Sequence, residues 1–216
     1  MKIKICGLFR DNDIDFVNEA KPDYAGFVFT KSARQISEAA AAKFRAKLHK
    51  NIISVGVFKN TTLDDIVRLY NKHIISIAQL HGEESDEYIY ALKTRGVMTV
   101  IKALKIREGM GKKSLETESA SYKNADFLLF DSSGGSGKTF DWDLLRTSDS
   151  RLAPPEMRRT PYFLAGGINC DNIDQAIKMK PFCIDVSSGV ETDGLKDRDK
   201  IIKMVSSVRS AKPREL

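Results

Sequence analysis

The sequence predicts an α/β fold, a single-domain (β/α)8 barrel spanning residues 1–216, and three observations carry the prediction. Short apolar runs alternate with longer amphipathic stretches eight times along the chain. Eight units in 216 residues leave about 27 residues each, enough for a strand, a helix and two short loops. Glycines, a thiol, carboxylates and an arginine recur where the apolar runs stop, the edge at which parallel α/β proteins bind ligands. The competing architecture is an open doubly wound sheet. The number of strands and the missing G-x-G-x-x-G after the first one count against it.

Taken in order, the apolar runs predict strands at Lys2–Cys6, Tyr24–Phe29, Ile52–Phe58, Ile74–Leu80, Met98–Leu104, Asp126–Asp131, Tyr162–Ala165 and Cys183–Ser187. The intervening patterns predict helices. Ser37 caps a helix reaching His49, and Thr61–Tyr70 begins with acids in the first turn, where the helix dipole favours them. Asn169 or Asp171 caps a helix running to Lys178, and Asp197 opens the last helix, through Val208. Gly109–Ser121 and Thr147–Arg159 read as loops or decorated helices.

The most informative stretch is Phe127-Leu-Leu-Phe-Asp-Ser-Ser-Gly-Gly-Ser-Gly-Lys-Thr-Phe-Asp-Trp142. A buried strand ends at the carboxylate of Asp131, a glycine-rich loop follows, and a helix is predicted to start near Asp141. Gly137-Lys138-Thr139 imitates the end of a nucleotide-binding loop, but Ser132 occupies the position of that motif's first glycine. Without that glycine the sharp turn out of the strand is lost. A flexible glycine-serine loop with an incidental lysine is the plainer reading.

Composition narrows the classes. Hydrophobic residues at 42% and charged residues at 30% are ordinary for a soluble globular chain, and no apolar run approaches a membrane span. The N-terminus enters a strand directly, so a cytoplasmic location is expected. Cys6, Cys170 and Cys183 with three scattered histidines show no zinc-ligand spacing, and the odd count argues for free thiols. The net charge of +6 comes from bases interspersed with acids, which suits an enzyme of small anionic molecules better than a nucleic-acid binder. The expected partner is a small phosphorylated substrate, with no nucleic acid, membrane, metal or cofactor, and the chain is expected to be a monomer or weak homodimer.

Eight segments in order resemble the phosphoribosylanthranilate isomerase family of tryptophan biosynthesis. They are Lys4-Ile-Cys-Gly7, Gly26-Phe-Val-Phe29 with Ser32-Ala-Arg34, Gly56-Val-Phe58, Gln79-Leu-His-Gly82, Gly134 to Trp142, Leu164-Ala-Gly-Gly-Ile168, Asp185-Val-Ser-Ser-Gly-Val-Glu191 and Gly194-Leu-Lys-Asp197. Lys59 and the proline-containing stretch Leu152–Arg159 depart mildly from the family pattern.

The resemblance implies an Amadori rearrangement in a TIM barrel of the phosphate-binding type. Cys6 is implied as the general base that removes the C2′ proton, which asks for a pKa below the free-thiol value of about 8.5. Lys4, on the same strand face, would act in that direction. Asp131 is implied as the general acid that opens the furanose ring, a role that needs a raised pKa. The substrate's own nitrogen acts as the electron sink. Arg34 would fork onto the anthranilate carboxylate. Gly166, Gly167, Ser187, Ser188 and Gly189 would bind phosphate through backbone N–H groups, and the loop carrying Gly135 and Gly137 would close over the substrate. Asp185 is counted with the substrate-binding residues, and either tunes Cys6 through Lys4 or forms a purely structural ion pair. Gln79 and His81 line the cavity with no chemical step. Another phosphosugar isomerase of the same fold and a silent phosphate-ligand binder are the alternatives. Arg34 speaks against the first, and the presence of both Cys6 and Asp131 against the second.

Overall fold

The computed structural model describes residues 1–132, 139–145 and 160–211. Eight strands form one closed barrel in chain order: β1 (Lys2–Cys6), β2 (Tyr24–Val28), β3 (Ile53–Phe58), β4 (Ile77–Leu80), β5 (Val100–Ile106), β6 (Phe127–Ser132), β7 (Tyr162–Leu164) and β8 (Cys183–Val186). All neighbours are parallel, and closure comes from β1 against β8, with Lys4 opposite Asp185. Seven α-helices lie between or after the strands among the described residues: α1 (Asp11–Ala20), α2 (Glu38–Lys47), α3 (Leu63–Asn71), α4 (Asp86–Thr94), α5 (Lys112–Ala120), α6 (Ile173–Lys178) and α7 (Arg198–Ser210). None of these helices is long and apolar enough to cross a membrane.

Strand alternation divides the apolar residues into two layers. Tyr24, Val55, Ile77, Ile101, Leu129, Phe163 and Cys183 fill the barrel interior, while Ile3, Ile5, Ala25, Phe27, Leu128 and Phe130 face the helices. Phe163 anchors the inner layer, with ring centroids 5.6 Å from Tyr24 and 5.4 Å from Phe127. Burying an aromatic side chain of that kind stabilises by about 1.5–3 kcal/mol. On α7, Ile201, Met204, Val205 and Val208 are buried at the i, i+3, i+4, i+7 spacing of one helix face.

Caps act largely where the side chains predict them. Ser37 Oγ accepts from Ala40 N, and Asp197 accepts from the backbone N–H groups of Asp199 and Lys200. Thr62 caps α3, so that helix starts at Leu63 rather than Thr61. Asn169 does not cap α6 directly. Its Oδ1 accepts from Asp171 N and Asn172 N and shapes the turn before the helix.

Three departures and one reading left open, that of Gly109–Ser121, have local causes. β4 begins at Ile77 instead of Ile74 because His73 is left-handed and Ile74 N bonds back to Leu69 O, which completes the turn out of α3. β5 runs on to Ile106 because β6 continues beside it, pairing Lys105 with Asp131 and Ile106 with Ser132. The stretch Gly109–Ser121 contains a regular helix, α5. It buries only Leu115 and Ser119, so it has no apolar stripe to betray it. Near Asp141 the predicted helix is one 3-10 turn, Trp142–Leu145. The segment 146–159 lies outside the described residues.

Candidate active site

Parallel closure brings the C-terminal ends of the strands to one rim. Cys6 ends β1 and is 8% exposed, and Gly26 of the neighbouring strand backs it so closely that an added Cβ would lie 2.6 Å from Sγ. Glycine at position 26 is what leaves room for the thiol. One layer deeper, Lys4 Nζ lies 2.8 Å from Asp185 Oδ2, with the lysine side chain fully buried and the carboxylate nearly so. Burial opposes the Lys4 charge, but Asp185 and Cys6 outweigh it and hold the ammonium above its ordinary pKa. The other carboxylate oxygen, Asp185 Oδ1, is buried without a hydrogen-bond partner among the described residues. An oxygen left open at that depth is free to accept a hydrogen bond.

The thiol corrects one expectation. Burial pushes the Cys6 pKa up, and Lys4 and Lys196 only partly oppose this because the Asp185 carboxylate acts against them. Lys4 serves Asp185 first. The Asp131 carboxyl shifts in the expected direction. Burial, followed by the nearby Asp185 charge, raises its carboxyl to about 6, against the pull of Lys4 and Lys105. Gly166 packs against this acid, since a Cβ there would meet Ser132 N at 2.5 Å and Asp131 Oδ1 at 2.8 Å.

Arg34 is not an open fork. Its Nε and Nη2 donate to Glu191 Oε1 and Oε2 at 2.7 and 2.6 Å. Its stem crosses Gly7, where an added Cβ would lie 2.5 Å from Arg34 Cδ and 3.2 Å from Ser187 Oγ. Gly7 also has φ 77°, so two constraints select glycine there.

The loops after β7 and β8 lean on each other. Gly166 and Gly167 are both left-handed, at φ 85° and 65°. Asn172 Nδ2 donates to Gly167 O, and Ser187 Oγ donates to Cys6 O. Ser188–Val190 forms a 3-10 turn in which Gly189 touches the backbone of Ile168. Beside these loops opens a cavity of about 610 Å³ lined by Gly167, Ser188, Gly189, Glu191, Lys200 and Lys203, among others. Gly135 and Gly137 lie outside the described residues.

His81 is held neutral. Burial and the charges of Lys4, Lys102, Lys105 and Lys59 lower its pKa to about 3, and its Nε2 lies 2.6 Å from Gln79 Nε2. Three charged residues at this rim carry no role in the sequence reading. Lys105 is exposed and in register with Asp131, while Glu191 and Lys196 form an ion pair at 2.6 Å. The two-residue alternation from Ala103 would have placed Lys105 on the inner face, but it lay one residue past the predicted strand end.

A closed parallel barrel with an acid, a thiol and two glycine-bearing loops on one rim defines a (β/α)8-barrel protein of the phosphate-binding type. The sequence profile of N-(5'phosphoribosyl)anthranilate (PRA) isomerase matches residues 3–207, and the chain belongs to that family. The N-(5'-phosphoribosyl)anthranilate isomerase of Endomicrobium trichonymphae is 48% identical over 215 residues, which span 97% of this chain and 98% of that protein. The crystal structure of the Thermus thermophilus phosphoribosyl anthranilate isomerase superposes with a TM-score of 0.82 at 28% identity, covering 98% of this chain and all of that one. A phosphoribosyl anthranilate isomerase in complex with reduced 1-(o-carboxyphenylamino)-1-deoxyribulose 5-phosphate superposes with a TM-score of 0.79 at 32% identity, covering 97% and 98%.

Proposed function

We propose that this chain isomerises N-(5-phospho-β-D-ribosyl)anthranilate to 1-(2-carboxyphenylamino)-1-deoxy-D-ribulose 5-phosphate, the third step from chorismate towards L-tryptophan. Family membership supports the reaction. The observation that carries the assignment of roles is a carboxyl and a thiol on one rim, both under the field of the buried Lys4–Asp185 pair.

In this reading Asp131, protonated up to about pH 6, gives its proton to the furanose oxygen as the C1′–O bond breaks. The anilino nitrogen supplies the electron pair, so the ring opens to a protonated Schiff base. That cation acidifies C2′ and favours the thiolate of Cys6, whose pKa burial otherwise raises. The thiolate removes the C2′ proton, the electrons return to nitrogen, and the resulting enolamine tautomerises to the ketose. Arg34 holds the aromatic carboxylate through N–H groups that Glu191 does not use. Gly166, Gly167 and Ser187 to Gly189 hold the phosphate by backbone N–H groups, and Asp185 Oδ1 accepts from a sugar hydroxyl.

Loss of phosphoribosylanthranilate with purified protein tests the reaction. Cys6→Ser and Asp131→Asn are each expected to lower kcat by about 10²–10⁴-fold while a product analogue still binds. Near wild-type turnover in either variant removes that residue from its role.

A further inference from the structure

Glu191 has no task in the reaction, yet its carboxylate is tied down from two sides. We propose that Glu191 is a positioning residue for carboxylate recognition, fixing Arg34 by one edge of its guanidinium and being fixed in turn by Lys196. The inference rests on the proposed role of Arg34 in holding the substrate's aromatic carboxylate.

The device is a two-residue hairpin that follows β8. Strand β9 (Glu191–Thr192) pairs antiparallel with β10 (Leu195–Lys196), placing Glu191 directly opposite Lys196. Asp193 and Gly194, both left-handed at φ 52° and 75°, make the turn, as a tight hairpin of this hand requires. The ribbon is pinned at several points. Thr192 Oγ1 donates to Asp197 Oδ2, Arg10 Nη2 to Lys196 O, and Lys200 Nζ to Glu191 O. Lys196, with no exposed side-chain surface, donates from Nζ to Ser187 O at 3.0 Å and to Glu191 Oε1 at 2.6 Å. Glu191 is therefore rigid before it meets Arg34.

An arginine offers five N–H donors, and a carboxylate can fork onto either its side edge or its end. Glu191 takes the side edge, Nε and Nη2, at a side chain only 5% exposed. What remains is the end edge, Nη1 and the second Nη2 proton, on a stem that packs over Gly7, the neighbour of Cys6. A free arginine would sample many rotamers. Locked by Glu191, it presents one edge in one place, so less order has to be imposed on binding. Because Lys196 also grips the Ser187 carbonyl, the carboxylate subsite and the loop after β8 are held at a fixed spacing. Such spacing selects a substrate by the distance between its two anionic ends.

The test uses the full chain and two unreactive ligands, the reduced product analogue bearing the aromatic carboxylate and the same compound built on aniline. Calorimetric affinities are taken for wild type, Glu191→Gln, Glu191→Asp, Arg34→Ala and the Glu191→Gln/Arg34→Ala double variant. The quantity read is the ratio of the two affinities within each protein, so any inactive fraction cancels. Glu191→Gln is expected to shrink the ratio about tenfold, Glu191→Asp to recover part of it, and the double variant to match Arg34→Ala. A wild-type ratio in Glu191→Gln, with a collapsed ratio in Arg34→Ala, overturns the proposal and leaves the role of Arg34 standing. Tighter binding of the carboxylate ligand to Glu191→Gln also overturns it, since Glu191 would then be a competitor of the substrate. An unchanged ratio in Arg34→Ala removes the carboxylate subsite itself and the proposal with it.

Discussion

Lys4 and Asp185, 181 residues apart in sequence, meet 2.8 Å apart inside the barrel where β1 closes against β8. The pair joins the first strand of the barrel to its last, and both candidate proton-transfer groups feel its charges. Two opposite charges out of water are tolerated only together, because each alone would carry an uncompensated desolvation cost. Lys4→Met is therefore expected to destabilise the fold by about 3–5 kcal/mol, while Lys4→Met with Asp185→Leu should recover most of that loss. Urea unfolding of both variants checks this. Equal losses in the single and double variants would mean that packing, and not charge pairing, holds the seam.

Lys4, Cys6 and Asp185 were legible in the sequence because each lies on a short apolar strand, where alternation alone decides which side chains share a face. Asp131 was legible for the same reason, its strand stopping against a glycine-rich loop. The grip of Glu191 on Arg34 was not, because it depends on two long side chains, one from a loop and one from the small hairpin, 157 residues apart. No periodicity encodes such a meeting. The thiol's raised pKa was misjudged on similar grounds. Lys4 was correctly placed beside Cys6, but its charge is balanced by Asp185 before it reaches the sulfur, and burial then decides the sign. Helix α5 was left open between loop and helix because Lys112–Ala120 buries too little to leave a stripe.

The raised Asp131 pKa is also a statement about stability. Folding lifts this carboxyl from about 3.9 in an unfolded chain to about 6, so between those values the folded state binds more protons than the unfolded one. Stability from this group is fully present below about pH 4 and is lost as pH rises through 6. Asp131→Asn carries no such charge. At pH 7 the variant is expected to be more stable than wild type by roughly 1–2 kcal/mol, after discounting for a side chain that still meets solvent. The gain should vanish near pH 4. Unfolding curves at a series of pH values measure it, and a gain that is independent of pH would assign the effect to something other than this titration.

The loops after β7 and β8 meet backbone to backbone, and Gly189 makes that approach possible. A Cβ at Gly189 would lie 1.9 Å from Ile168 O and 2.8 Å from Asn169 Cα, and both obstacles are backbone. Gly189 is not left-handed, so the bar to a side chain there is space rather than conformation. Gly189→Ala must push the two loops apart, and these loops carry the backbone groups proposed to hold phosphate. Gly96→Ala, in the turn between α4 and β5 at the other end of the barrel, provides the contrast. Its φ is 93° but nothing lies within 4 Å of an added Cβ, so it should cost only about 1–2 kcal/mol of backbone strain. Gly189→Ala is expected to raise KM by about tenfold or more and to weaken competitive inhibition by inorganic phosphate to a similar degree, whereas Gly96→Ala should leave both near wild type. If Gly189→Ala retains its KM and its phosphate inhibition, the spacing of these loops does not set phosphate affinity, and the cradle has to be sought elsewhere on the rim.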